Sequence, residues 1–235
     1  MTKLPHFMAD VSHRLRSDPP GHAAHLAVAP DTRASEADLS PNGKAGRQAA
    51  VFILLGVPHG TTPRPITPPM TQPSHLQVLF IKRPMHLKHH AGQMAFPGGA
   101  CERGETTLAA AFRECHEEIG VDASQIQVIG KMTPLYIPPS KFVVNPYLGY
   151  LPTIPDLTPS PDEVSETVWL SIADLLSPRY HFRETWTLQN RPCVVPGCRI
   201  GPHTIWGASM MMLNEMLDVF RSIGDPGSSY VGLQR

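Results

Sequence analysis

Charge is scarce in this chain and cancels where it occurs. Charged residues make up 17% of the 235, with Lys and Arg at 20 against Asp and Glu at 20. A formal net charge of zero gives no overall field for a polyanion. It disfavours a general nucleic-acid binder and leaves anion binding to local clusters. Cysteine is also sparse, at four residues: Cys101, Cys115, Cys193 and Cys198. Structural zinc needs about four closely spaced ligands, and no second Cys/His pair follows Cys193 and Cys198. Those two flank Pro196-Gly197, a turn signal, so the expectation is a hairpin with two reduced thiols. No apolar run approaches the roughly 18 residues of a membrane span. The first residues lack the apolar segment of a secretory signal. The expected setting is therefore cytoplasmic, with no membrane contact.

Proline, by contrast, is abundant. The 26 prolines are more than twice the usual share, and they gather in the first 75 residues and between apolar runs, where they read as loop material. Phe7, Met8, Val11 and Leu15 stand at helical spacing, predicting a short helix over 5–16 that Pro19-Pro20-Gly21 ends. Residues 21–47 are polar without a period and are expected to be irregular. The apolar runs 50–56 and 76–83 read as strands paired in a hairpin around a proline-rich loop, 57–74. A helix is predicted over 106–119, capped by Thr106 and stopped by Gly120. Strand-like runs follow at 126–131, 142–151, 165–170, 181–188 and 192–196. Ile205–Ile223 reads as a long buried helix, with Met210, Met211 and Met212 in the core and Trp206 as a packing anchor. Strands mixed with two main helices, without βαβ alternation, indicate an α+β class built on a mixed sheet. The expected organisation is an N-terminal extension (1–47), one domain (48–224) and a C-terminal tail (225–235).

The helix over 106–119 carries two incompatible faces. At about 100° per residue, Ala111, Phe112, Cys115 and Ile119 fall within about 60° of Leu108. Glu117, Glu114 and Glu118 fall near 180°, 240° and 280° on the same wheel. Like charges one turn apart cost a few tenths of a kcal/mol per pair on a bare helix. His116 is the nearest relief within the turn. A hard divalent cation is a natural counter-charge, because magnesium prefers oxygen ligands.

The surrounding spacing is Gly99, Glu105, then Arg113-Glu114-Cys115-His116-Glu117-Glu118-Ile119-Gly120-Val121. It resembles the Nudix box of the Nudix hydrolase superfamily at every fixed position, with Cys115 in an apolar slot. At common residue frequencies, seven such positions coincide by chance in about one window in 10⁸. The resemblance implies an α/β/α sandwich with a loop-helix-loop. It implies metal ligation, by Mg²⁺ or Mn²⁺, through Glu114, Glu117 and Glu118 with the carbonyl of Gly99. Glu105 and Arg113 correspond to a bracing ion pair. The general base is either Glu118 in the box or Glu163, which precedes a strand after a proline-rich loop. Gly98 and Gly99 allow close backbone approach to metal and phosphates.

Upstream, Leu79–Gly99 reads LFIKRPMHLKHHAGQMAFPGG. It resembles the segment marking the coenzyme A pyrophosphatase branch of that superfamily, through Arg83, Lys88, Gly92-Gln93 and Phe96-Pro97-Gly98-Gly99. Thr133–Pro138 and Ile205-Trp206-Gly207 are similar to that branch too. Lys88 stands where the branch has arginine, which keeps the charge and loses the bidentate fork. The resemblance implies a small-molecule nucleotide substrate: coenzyme A or its acyl derivatives, with Arg83, Lys88, Gln93, Phe96 and Gly98 contacting it. The alternatives are another dinucleotide or nucleotide sugar, or a non-catalytic nucleotide sensor on the same fold. A homodimer is left open.

Overall fold

The computed structural model describes residues 5–33, 35–42, 44, 46–58, 75–87, 90–188 and 190–224. Three helices come first: α1 (His6–Ser17), α2 (Gly21–Ala27) and α3 (Glu36–Leu39). Then follow β1 (Arg47–Gly56), β2 (Gln77–Lys82), β3 (Met94–Ala95), β4 (Gly98–Ala100) and α4 (Thr107–Ile119). The middle of the chain gives β5 (Gln127–Lys131), β6 (Leu135–Ile137), β7 (Phe142–Leu151), β8 (Glu166–Ser171) and α5 (Ile172–Leu176). The last elements are β9 (His181–Leu188), β10 (Arg191–Ile200), β11 (His203–Trp206) and α6 (Gly207–Gly224).

The main sheet is mixed. β1 runs parallel to β7 over its whole length, from Arg47↔Phe142 to Gly56↔Leu151. β4 pairs antiparallel with β1, β5 and β6 pair antiparallel with β7, and β2 holds β3 and β8, again antiparallel. The expected β1–β2 pairing is present, but only as Leu55↔Val78 and Gly56↔Gln77. β1 reads as one apolar run because it is covered on both faces. Phe52 and Leu54 pack toward α4 with Leu79, Ile81, Ala111, Cys115 and Ile119. Ile53 and Leu55 pack on the other side with Phe80, Met211, Leu217 and Phe220. Helices on both faces of a mixed sheet give the expected α+β sandwich, and Met210, Met211 and Met212 of α6 lie in its core.

Two expectations need correction. Residues 21–47 are not uniformly irregular, since they contain α2 and α3. Tertiary contacts hold α2: Nε2 of His25 meets Oε2 of Glu215 at 2.9 Å, both side chains fully buried, and Asn214 donates to the Ala24 carbonyl at 2.9 Å. No periodicity in 21–47 encodes partners nearly 200 positions away. Second, Cys193 and Cys198 do not flank a turn. They lie on one continuous strand, β10, between β9 and β11, and all four cysteines are unbridged. Gly197 serves close packing instead: a Cβ there would stand 2.4 Å from the Phe182 ring and 2.7 Å from the Ile205 carbonyl.

No helix among the described residues is long and apolar enough to cross a membrane. The 57–74 loop lies largely outside the described residues, and the 225–235 tail wholly so.

Candidate active site

The predicted helix forms one residue inside its predicted start. Thr106 caps α4 by accepting from the amide of Ala109, and Gly120 ends it in a left-handed conformation at φ 72°. The apolar stripe seats α4 on β1, which fixes where the carboxylates point. Ahead of it, β4 is laid along β1 through Val51↔Gly98 and Ala50↔Gly99. A Cβ on Gly98 would come 2.2 Å from the Ala50 carbonyl oxygen. One on Gly99 would come 2.5 Å from the Glu114 carboxylate. The two glycines let the strand pass beneath the helix and leave space for its acidic face.

Arg113 is the hub of that face. Its Nε and Nη2 donate to the two oxygens of Glu105 at 3.0 Å each, and Nη2 also reaches the Ala100 carbonyl at 3.0 Å. Its Nη1 donates to Glu114 at 2.8 Å and Glu117 at 3.0 Å. Glu105 in turn accepts from the Glu102 amide at 2.9 Å. Hydrogen bonding from Arg113 lowers the Glu105 pKa. Three of the five Arg113 bonds therefore brace the loop against the helix. Arg113, not His116, relieves the glutamates: His116 turns away and meets Asp122 at 3.2 Å.

Glu118 is the exception on this face. The wheel puts it beside the apolar stripe, and the fold buries it to 2% exposure. Its Oε2 accepts from the Gly98 amide at 2.8 Å. Burial nevertheless raises its pKa to about 8, with the charges of Glu114 and Glu163 adding to the rise and Arg83 opposing it. Burial also raises the Glu114 pKa, against the pull of Arg113.

The segment carrying Glu163 is tied to the end of the helix. The Thr158 amide donates to the Ile119 carbonyl, and the Ser160 amide to the Glu118 carbonyl, both at 2.9 Å. The Glu163 and Val164 amides then turn back on the Ser160 carbonyl at 3.1 and 2.8 Å. Glu163 itself is exposed. These tethers were invisible in the sequence, because they join backbone groups about 40 residues apart and leave no residue-type signature.

The upstream segment divides. Arg83 makes a two-bond ladder with the chain at Gly92-Gln93, at 3.0 Å each. Its side-chain Nε is buried without a hydrogen-bond partner among the described residues. Gln93 accepts at Oε1 from Nδ1 of His90 at 2.8 Å. Phe96 points away from the carboxylates. It is 2% exposed in the core on the α6 side, stacked on Phe80 at 4.7 Å, so its ring is packing and offers no ligand surface. Lys88 and His89 lie outside the described residues.

The donor set suits a hard divalent cation: it is all oxygen, and its central member, Glu118, is buried among other negative charges. Among the described residues no three acidic, imidazole or thiol side chains converge on one point as they stand. Glu114 and Glu117 each meet Arg113 through one carboxylate oxygen.

The Nudix domain profile matches residues 66–189. The chain is 38% identical over 139 residues to "Uncharacterized Nudix hydrolase NudL" of Escherichia coli O7:K1, covering 57% of this chain and 63% of that protein. It is 30% identical over 149 residues to "Nudix hydrolase 3" of Caenorhabditis elegans, covering 57% and 62%. The Salmonella paratyphi B protein of the same NudL name is 33% identical over 172 residues, covering 72% and 81%. The match thus spans somewhat under two thirds of the first two relatives. Among solved structures, a Nudix hydrolase from M. smegmatis, RenU, shares 22% identity with a TM-score of 0.43, over 55% of this chain and 73% of that one. A profile match over more than half the chain, falling on the helix whose carboxylates, glycines and arginine brace have just been described, means that the chain belongs to the Nudix hydrolase family.

Proposed function

We propose that this protein hydrolyses the diphosphate bond of a nucleoside diphosphate derivative, with Mg²⁺ or Mn²⁺ as cofactor. The substrate read from its own sequence is coenzyme A or an acyl derivative, cleaved to adenosine 3′,5′-bisphosphate and 4′-phosphopantetheine, acylated where the substrate is. The observation that carries this reading is the buried Glu118 carboxyl, held by the Gly98 amide among Glu114, Glu163 and Arg83. A sensor could do without a buried carboxyl beside two more glutamates and the Arg113–Glu105 brace.

When bound, the metal neutralises charge on the diphosphate and lowers the pKa of an attacking water. Glu114, Glu117 and Glu118 would hold it, with the Gly99 carbonyl close by. The unpartnered Nε of Arg83 is a donor available to a diphosphate oxygen. Water adds to phosphorus, its proton passes to a carboxylate, and the phosphorus–oxygen bond of the diphosphate breaks to give two phosphate monoesters. Glu163 is the better candidate for that proton, because it is exposed and free of the arginine brace, while Glu118 is committed to Gly98 and to the metal.

The test is a product analysis. The purified protein is incubated with coenzyme A, NADH, ADP-ribose and diadenosine polyphosphates, each with Mg²⁺ or Mn²⁺, and products are identified by mass. Preference for coenzyme A with release of adenosine 3′,5′-bisphosphate supports the full reading. Preference for another of these compounds keeps the hydrolase and discards the coenzyme A assignment. Binding without turnover of any of them overturns the hydrolase reading.

A further inference from the structure

A cleft of about 290 Å³ opens between the small sheet and the β2–β3 end of the main sheet, lined in part by Lys82, Gln93, Trp186, Arg199, His203 and Trp206. We propose that it seats the nucleobase of the substrate, a planar hydrogen-bonding ring laid against Trp186. The proposal rests on the reading above for the substrate being a nucleotide, and it assigns the end remote from the scissile bond.

The wall is preorganised. Trp186 meets Trp206 edge-on, with ring centroids 5.2 Å apart, and Phe182 stacks near it at 5.8 Å. The indole N–H of Trp186 donates to Glu184 at 2.9 Å. Arg199 grips the same carboxylate through two bonds, at 2.9 and 3.0 Å, and lies over the Phe182 ring. The indole plane is therefore set before any ligand arrives, which reduces the ordering cost of binding.

Charge in the cleft decides between a base and a phosphate. Arg199 is committed to Glu184, while Lys82 and His203 share Glu166 at 3.8 and 3.7 Å. Lys82 and Arg199 are thus already paired with carboxylates, so an added phosphate would compete with Glu166 and Glu184. Polar groups suited to a neutral ring remain. Nδ1 of His203 is buried without a partner among the described residues. The Gln93 side chain touches His90 through Oε1 alone, leaving its amide N–H groups to a ligand. Aromatic faces bind bases of any sequence by stacking.

Position links the cleft to the carboxylates. Gly92 and Gln93 line it, and their backbone is hydrogen-bonded to Arg83, whose charge acts on Glu118. A nucleotide with its base on Trp186 can run its phosphates past Arg83 to the acidic helix.

The test uses the full chain in EDTA, titrated with adenosine 5′-monophosphate and, separately, with inorganic pyrophosphate, following tryptophan fluorescence and binding heat. The expected result is saturable quenching by the nucleotide and none by pyrophosphate. Trp186→Leu should weaken nucleotide binding about tenfold, and Trp186→Phe should restore most of it. With a hydrolysed substrate, Trp186→Leu should raise KM about tenfold while kcat moves by less than twofold. Equal nucleotide affinity in the native protein and Trp186→Leu overturns the proposal, as does equal quenching by pyrophosphate. Nucleotide binding that depends on Trp186 in a protein that hydrolyses nothing overturns the hydrolase reading and leaves the cleft assigned. Turnover with KM unchanged in Trp186→Leu does the reverse.

Discussion

The amide of Ser160 donates to the main-chain carbonyl of Glu118 at 2.9 Å, so the loop that carries Glu163 is pinned to the residue whose carboxyl it influences. The tether sets one carboxylate of the helix and one from outside it within electrostatic range. If Glu163 takes the proton of the attacking water, Glu163→Gln should lower kcat by about 10²-fold or more and leave KM near its native value. Steady-state kinetics at saturating metal decides it. An unchanged rate gives the role to Glu118.

The Glu118 carboxyl makes the metal-free protein sensitive to pH. Its folded-state pKa of about 8 lies above the ordinary 4.5, so the folded form keeps a proton that the unfolded chain has released. Stability from this group is thus lost as pH rises from about 4.5 through 8. In thermal melts with EDTA, Glu118→Gln should gain on the native protein by several degrees across that range. A gap that does not change with pH would show that Glu118 ionises as an ordinary carboxylate.

Arg113 donates to three glutamates and a carbonyl with a forked geometry that lysine cannot reproduce. Arg113→Lys should lower kcat/KM by roughly 10- to 100-fold, as loss of groups that orient metal ligands does. Circular dichroism should show the fold retained. Activity within twofold of native would mean that the charge alone suffices.

Adjacent glycines should fail in different ways. At Gly98 an added Cβ meets backbone, the Ala50 carbonyl and Val51 Cα, at a φ of 148°. Gly98→Ala should therefore destabilise the fold by about 3 kcal/mol or more. At Gly99 the added atom meets the Glu114 carboxylate, the far end of a flexible side chain. Gly99→Ala should melt near the native temperature and lose activity about 10²-fold by displacing Glu114, a ligand in the proposed metal site. Urea denaturation beside an activity assay separates the two, and equal loss of stability would refute the distinction.

His25→Ala should leave Glu215 buried with Thr133 alone to answer it among the described residues, through its amide at 3.2 Å and its hydroxyl at 2.6 Å. Leaving a buried hydrogen-bonding group without its partner costs about 1–3 kcal/mol. The pair lies on the α6 side of the sheet, across from the acidic helix, so kcat measured well below the melting temperature should hold. A Tm unchanged by the substitution would contradict the tether.

The acidic helix was legible because its signals are local. Thr106, the stripe from Leu108 to Ile119, the three glutamates and Gly120 lie within fifteen positions, and helical periodicity arranges them without help from the rest of the chain. The strands at 142–151 and 181–188 were read at their observed bounds, since apolar runs and turn residues delimit them. The helix at Gly21–Ala27 was missed because its partners, Asn214 and Glu215, sit on α6. Phe96 was read as a ligand contact because its segment resembles that of the coenzyme A pyrophosphatase branch. Tertiary packing decided otherwise, burying its ring against Phe80 in the core on the α6 side.

The sequence by itself determined the identity and spacing of the charged groups: three glutamates on one helix, an arginine within reach of them, and two glycines just upstream. Tertiary structure alone decided how each behaves. It buried Glu118 against the Gly98 amide, turned Glu114 and Glu117 onto Arg113, brought Glu163 in through Ser160, and set Trp186 beside Lys82. Proton affinity and ligand contact depend on solvent exclusion and on distances through space, and neither is encoded by spacing along the chain.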